Sequence, residues 1–239
     1  MSETLREIVF IIVVMLANIV QAITGFAGTA LAMPFSILLI GMESSRLLLN
    51  IVALVSCFFI VAFNRKDVDW KTFLIMTSFA LIGMAIGSVL MNQVSSPYLI
   101  KFYGSIICLV AIYYLFRKTD QHWPTVILIG LVILAGIIHR LFLSGGPLII
   151  LYATQVLKQK NRFRATLAMV WIVLNGLILS IDLQTTIFTP PTLSLLLLAV
   201  LTIPVSVIIG KMIFDRINPT IFLKLTYGLL FISGVAILL

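Results

Sequence analysis

The chain has 239 residues, of which 62% are hydrophobic and 10% charged, with a formal net charge of +8 and a mean hydropathy of +1.21. Soluble domains carry about 25% charged residues, and a soluble chain of this composition would leave large apolar patches in water. A soluble enzyme, a disordered chain and a secreted disulfide scaffold are therefore excluded, leaving an integral membrane protein.

Apolar runs follow one another at 5–23, 29–40, 44–64, 72–91, 97–116, 125–138, 147–157, 162–181, 191–210 and 218–239. Those beginning at 44, 72, 97, 162, 191 and 218 have the ~20 residues that a ~30 Å hydrocarbon layer requires, and 5–23 is only just shorter. The first run exceeds a signal-peptide core and no small-x-small cleavage site follows it, so it reads as a retained span. The runs 29–40, 125–138 and 147–157 are short, reaching about 16–21 Å as helices. They flank Thr24-Gly25-Phe26-Ala27-Gly28 and Leu143-Ser144-Gly145-Gly146-Pro147. Irregular backbone at membrane depth survives only where it is buried in protein or lines a wet cavity, so both points read as helix breaks. Close helix packing is the other use of such glycines.

Basic residues gather between the runs, as at Arg65-Lys66 and Lys158 to Arg164. That is the positive-inside pattern of a membrane protein, and it removes nucleic acid as a partner. Cys57 and Cys108 lie inside apolar runs and no CxxC or Cys/His cluster exists, so neither a metal nor a cofactor is expected.

The two breaks are related. At an offset of 118, Gly28 falls on Gly146 and Arg46 on Arg164; near 123, Gly87 falls on Gly210 and Lys101 on Lys224. Residues 1–118 and 124–239 thus read as two copies of one transmembrane unit, joined by a linker at 119–123. Duplication with interrupted helices at matching places marks transporters, with the site where the breaks meet.

Loop charge orders the topology. With each broken run as one crossing there are eight spans, and the loop cations divide six against nine, with Arg140 left inside. If each broken run enters and returns, there are ten segments; Arg6, Arg46, Lys101 and Arg140 lie on one side and the other twelve cations opposite. The second division fits the positive-inside rule better. It predicts an all-α polytopic membrane protein with two inverted repeats of four to five segments, each containing a Gly-interrupted helix, and both termini outside.

Thr24 to Thr29 followed by Pro34, and Gly136-Ile137-Ile138-His139 through Ser144-Gly145-Gly146-Pro147-Leu148 with Phe163-Arg164-Ala165-Thr166 after it, resemble the two Gly-rich signatures of the sulfite exporter TauE/SafE family (the TSUP transporters). The duplicated layout and the size are similar over essentially the whole chain. Arg140 and Leu143 stand where small residues are usual, and the first motif lacks a glycine triplet. The resemblance implies transport of sulfite, small organosulfonates or related carboxylates.

The residues themselves suit anions. A half-helix starting at Gly28 or Gly146 presents unpaired N–H groups and the positive end of a dipole. Glycine permits close approach, as Gly25 and Gly145 would too, and Thr24, Thr29 and Ser144 add hydroxyls. His139 and its counterpart Gln21 precede the breaks as candidate ligand donors. Arg140 is a candidate counter-charge, since an arginine within a span is costly, with snorkelling to the interface as its alternative. Asn18, Asn50 and Asn175 serve either as helix-to-helix glue or as site groups, and Trp171 reads as core.

No Asp or Glu falls in mid-span, which argues against a carboxylate proton relay. The expected protein is thus a multi-pass transporter of the inner cell membrane, not an enzyme, working by alternating access on a small anion. The bilayer is its solvent and a homodimer its candidate assembly. An anion channel and, further off, a membrane-embedded enzyme with His139 at its centre remain the alternatives.

Overall fold

The computed structural model describes residues 3–91, 96–116, 123–184 and 190–216, with 218, 224, 227, 228, 231, 232, 234, 235 and 238 in the last stretch. Most of the 119–123 linker and much of the expected 218–239 segment lie outside the described residues. Among the described residues every regular element is helical.

In chain order these are α1 (Glu3–Thr24), α2 (Gly28–Ile40), α3 (Met42–Asn64), α4 (Trp70–Met91), α5 (Ser96–Phe116), α6 (Thr125–Phe142), α7 (Gly146–Val156), α8 (Lys160–Asp182), α9 (Pro190–Leu201) and α10 (Ile203–Arg216). Six stretches are long and apolar enough to cross a membrane: Thr4–Thr24, Met42–Asp67, Trp70–Met91, Thr125–Phe142, Lys160–Asp182 and Thr192–Arg216. The outward faces carry Leu16, Phe58, Leu74, Ile82, Val126 and Leu197, all exposed, as expected of surfaces solvated by lipid.

Two expectations change. The run 125–138 is not short: α6 continues through His139 and Arg140 to Phe142, because both polar side chains are buried inside the protein rather than ending the span. The run 191–210 keeps its spanning length within Thr192–Arg216 but is interrupted at Thr202, whose N–H donates to Ala199 O in a tight turn, and the second piece extends to Arg216.

Both breaks fold the chain back on itself. α2 packs on α1 and α7 on α6. At the first break Gly25 has φ +81°, a backbone region that favours glycine. At the second, Leu143 takes φ +54°, a left-handed conformation that costs a side-chain-bearing residue about 1–2 kcal/mol. It is held there by complete burial and by its N–H bond to His139 O at 2.8 Å.

Glycine sets the remaining spacing. A Cβ on Gly83 of α4 would collide with the Ile133 carbonyl of α6, and one on Gly136 of α6 with the Ala80 carbonyl of α4. These backbones therefore touch directly, the arrangement small residues permit in membranes. Gly210 brings α10 onto α1 in the same way, against Ala22 Cβ and the Ile19 carbonyl. The α3 and α8 helices lie antiparallel at the centre, tied by Asn50 Nδ2 donating to Asn175 O at 3.2 Å.

Candidate functional site where the two breaks meet

The breaks converge. A Cβ on Gly146 would lie 2.8 Å from Phe26 O, and Trp171 of α8 donates from Nε1 to Gly25 O at 2.8 Å. Between them is a small cavity lined by Gln21, Phe26, Thr29, Ala53, His139, Leu143, Gly146, Trp171 and Asn175. A neighbouring cavity shares Gln21, Thr29 and Ala53 and adds Gly28 and Asn18. Each measures about 10 Å³, room for one water.

Of the expected site residues, Gln21, Gly28, Thr29, His139 and Gly146 line these cavities. Thr24, Gly25, Arg140, Ser144 and Gly145 do not line them. Thr24 Oγ1 donates to Val20 O at 2.7 Å and accepts the N–H groups of Phe26 and Ala27. Ser144 Oγ donates to Phe142 O and accepts the Tyr103 hydroxyl at 2.7 Å. Gly145 packs on Ala135 O and on the His139 Cβ of α6.

The expectation of unpaired N–H groups at Gly28 is corrected: its N–H donates to Gln21 Oε1 at 2.8 Å. The same Gln21 donates from Nε2 to Cys57 Sγ at 3.4 Å. The first break is thus capped from within. At the second break the N-terminus of α7 has no side-chain cap. His139, standing where Gln21 stands in the first break, is 2% exposed. Its ring lies 5.0 Å from that of Trp171, and neither ring nitrogen completes a hydrogen bond of good geometry, although Asn175 is alongside. Asn175 Oδ1 is likewise without a partner. Buried polar groups are normally satisfied, so the uncapped α7 end, His139 and Asn175 form the place best able to accept a polar ligand.

Arg140 faces elsewhere. Its Nη1 lies 3.0 Å from Asp182 Oδ1 and its Nε donates to Ser88 Oγ at 3.0 Å. Arg46 meets the other oxygen of Asp182 at 3.3 Å and also donates to Arg140 O at 3.2 Å. Both arginines are 7% exposed. The chain thus supplies Arg140 with its own counter-charge, from a helix end 42 residues away. The opposite end of the α3–α8 pair carries Arg164, which donates to Ala22 O and to Asn64 Oδ1, each at 3.2 Å.

The sequence reading left Asn175 open between glue and site, and did not place Trp171, Ala53, Leu143 and Phe26 there. The offset of 118 pointed to Asn175: it carries the Gln21–Cys57 pair onto His139–Asn175. Among the described residues no group of three or more His, Cys, Asp or Glu side chains is arranged to hold a metal ion.

Neither a curated protein nor a solved structure shows significant similarity to this chain. A family profile does match, that of the sulfite exporter TauE/SafE, and it extends over residues 10–237. With apolar helices long enough to cross a membrane and two breaks meeting at its centre, the chain belongs to the TauE/SafE family of membrane transporters.

Proposed function

We propose that the protein exports small oxyanions such as sulfite, organosulfonates or related carboxylates across the inner cell membrane, by alternating access around the two helix breaks. The observation that carries this reading is the uncapped α7 N-terminus beside His139, a buried ring with no completed hydrogen bond, where the breaks meet. A helix N-terminus with an imidazole N–H beside it suits an anion, and Asn175 Oδ1 can accept from that ring and orient it. This cluster is closed around a water-sized space, so an oxyanion enters only when Phe26 and Gly146 separate. Burial at that point desolvates the ligand and strengthens each bond to it. A negative interior favours expelling each unit of negative charge by ~2.3 kcal/mol per 100 mV.

The two units, 1–118 and 124–239, are read as inverted repeats. Helix bounds support the duplication: α2 and α7 begin at Gly28 and Gly146, α3 and α8 begin at Met42 and Lys160 and end at Asn64 and Asp182, all at the offset of 118; the antiparallel packing of α3 on its counterpart α8 supports the inversion. Contacts support the duplication too. Gly87 packs on Ile137 and Arg140 as Gly210 packs on Ile19 and Ala22, and 137 and 140 are 19 and 22 advanced by 118. Because α2 and α7 fold back, ten segments fit better than eight crossings.

The test is sulfite efflux from proteoliposomes under an imposed potential. Saturable efflux with counter-transport is expected, falling at least tenfold in His139→Leu while the variant still purifies as a single species. Linear, unsaturable flux would make the protein a channel, and no flux of any anion would end the reading.

A further inference from the structure

We infer that Arg164 and Asn64 form a second anion site, at the end of the α3–α8 pair opposite the Asp182 ion pair. Arg164 is 5% exposed. It donates from Nη1 to Ala22 O and from Nη2 to Asn64 Oδ1, while its Nε has no partner. Its guanidinium carbon lies 4.2 Å from the centre of the Phe214 ring, and Lys160 Nζ lies 4.5 Å from the same centre. Among the described residues no carboxylate comes within 4 Å of it; Asp67 and Asp215 act on it only from farther away.

The other end of the pair shows what completes such an arrangement. Arg46 also donates to a carbonyl in the last turn of a broken helix, Arg140 O as against Ala22 O. It also reaches across to the end of the neighbouring long helix, Asp182 as against Asn64. The difference is the charge of that last residue. A carboxylate neutralises Arg46, and a neutral amide faces Arg164. A buried guanidinium with no carboxylate in contact is costly, and Asp67 and Asp215 offset that only from a distance. The α1 C-terminal dipole offsets only part of that. A bound anion supplies the rest, in the place that a chain carboxylate fills at the opposite end.

The recognised chemistry is a small oxyanion with two oxygens on one face: a carboxylate, sulfite, sulfonate or phosphate, taken by the planar guanidinium. Phe214 shields one side from water, and Lys160 adds charge. A free anion and the phosphate of a lipid headgroup share this chemistry. The site touches the first break directly, since a Cβ on Gly25 would lie 3.2 Å from the Arg164 Cα. The inference borrows from the proposed function only the choice of sulfite as probe.

The purified full-length protein in neutral detergent is titrated calorimetrically with sodium sulfite and, separately, with short-chain phosphatidylglycerol. The decisive variant is Asn64→Asp, which ties a carboxylate beside Arg164 as Asp182 does beside Arg46. It should unfold at the same temperature as the parent or higher, and bind the anion at this site at least tenfold more weakly. Arg164→Gln should lose the same binding. His139→Leu should keep it. Loss confined to the lipid titration assigns the site to a headgroup, and loss confined to sulfite assigns it to a free anion. Should the central site be misread, sulfite binding remains and is removed by Asn64→Asp alone. If Asn64→Asp binds both probes as the parent does, the Arg164 site is overturned, whatever His139→Leu shows.

Discussion

Arg46 and Asp182 meet at 3.3 Å across the ends of two antiparallel helices, and the same carboxylate holds Arg140 at 3.0 Å. Two buried cations therefore share one anion, and the ends of α3, α6 and α8 are fastened at a single point.

Removing that carboxylate leaves two buried guanidinium groups uncompensated. Breaking a buried pair from one side costs about 3–5 kcal/mol. Asp182 is 20% exposed at its side chain, which places Asp182→Ala at the low end, about 3 kcal/mol. Thermal unfolding in detergent should show the loss. Sulfite or another small oxyanion should restore part of it by occupying the vacated place. A midpoint equal to that of the parent would remove Asp182 from the stability of this end.

The α4–α6 contact predicts a contrast among glycines. Gly83→Ala and Gly136→Ala each push a methyl into the facing helix's carbonyl, so the helices must separate, at about 1–3 kcal/mol each. Gly130→Ala on the same α6 meets nothing within 4 Å and should be neutral or slightly stabilising. Melting curves of the three variants decide the matter; equal effects would rule out backbone contact as the cause.

The start of α4 predicts an acid dependence. Asp69 Oδ1 accepts the Thr72 N–H at 2.9 Å, capping the helix. Those Thr72 hydrogen bonds, with Arg162 and Lys71 adding, hold its carboxyl below the usual range. The folded state therefore binds this proton less readily than the unfolded chain. The contribution is fully present above the ordinary carboxylate range and is lost as the pH falls through the depressed folded value. At neutral pH Asp69→Ala should cost about 1 kcal/mol, and the gap to the parent should close on acidification. A gap constant with pH would show that the charge is irrelevant.

Sidedness is testable with single cysteines in a background lacking Cys57 and Cys108. Positions Lys66 and Lys160 should both be shielded from an impermeant thiol reagent in intact cells, and Glu43 should label. Labelling at only one of Lys66 and Lys160 would favour eight crossings.

Much of the fold is written locally. Glycine clusters within apolar runs located both breaks, and α2 and α7 begin at Gly28 and Gly146, as those clusters implied. The end of α6 was not legible, because a charged residue reads as a membrane boundary until its partner is known. Asp182 is brought to Arg140 only by the packing of α8. The site was partly legible for a similar reason. Gly28 and Gly146 mark where backbone comes close, but only the folded chain shows that Gln21 occupies the first N–H and that Phe26 meets the second glycine. Asn175 and Trp171 reach the cavity from a long apolar helix whose inward face no local pattern announces.

The backbone contact between α4 and α6, and the close approach of Gly210 of α10 to Ala22 and Ile19 of α1, also bear on which parts of the molecule travel together. Helices in such close contact have little side-chain layer to slide on, so each pair is expected to move as one body in any transport cycle. Each pair takes one helix from residues 1–118 and one from 124–239. The rocking units of a transport cycle would thus be exchanged pairs rather than the two sequence halves, and a chain cut at the linker would give fragments whose glycine faces are satisfied only by each other.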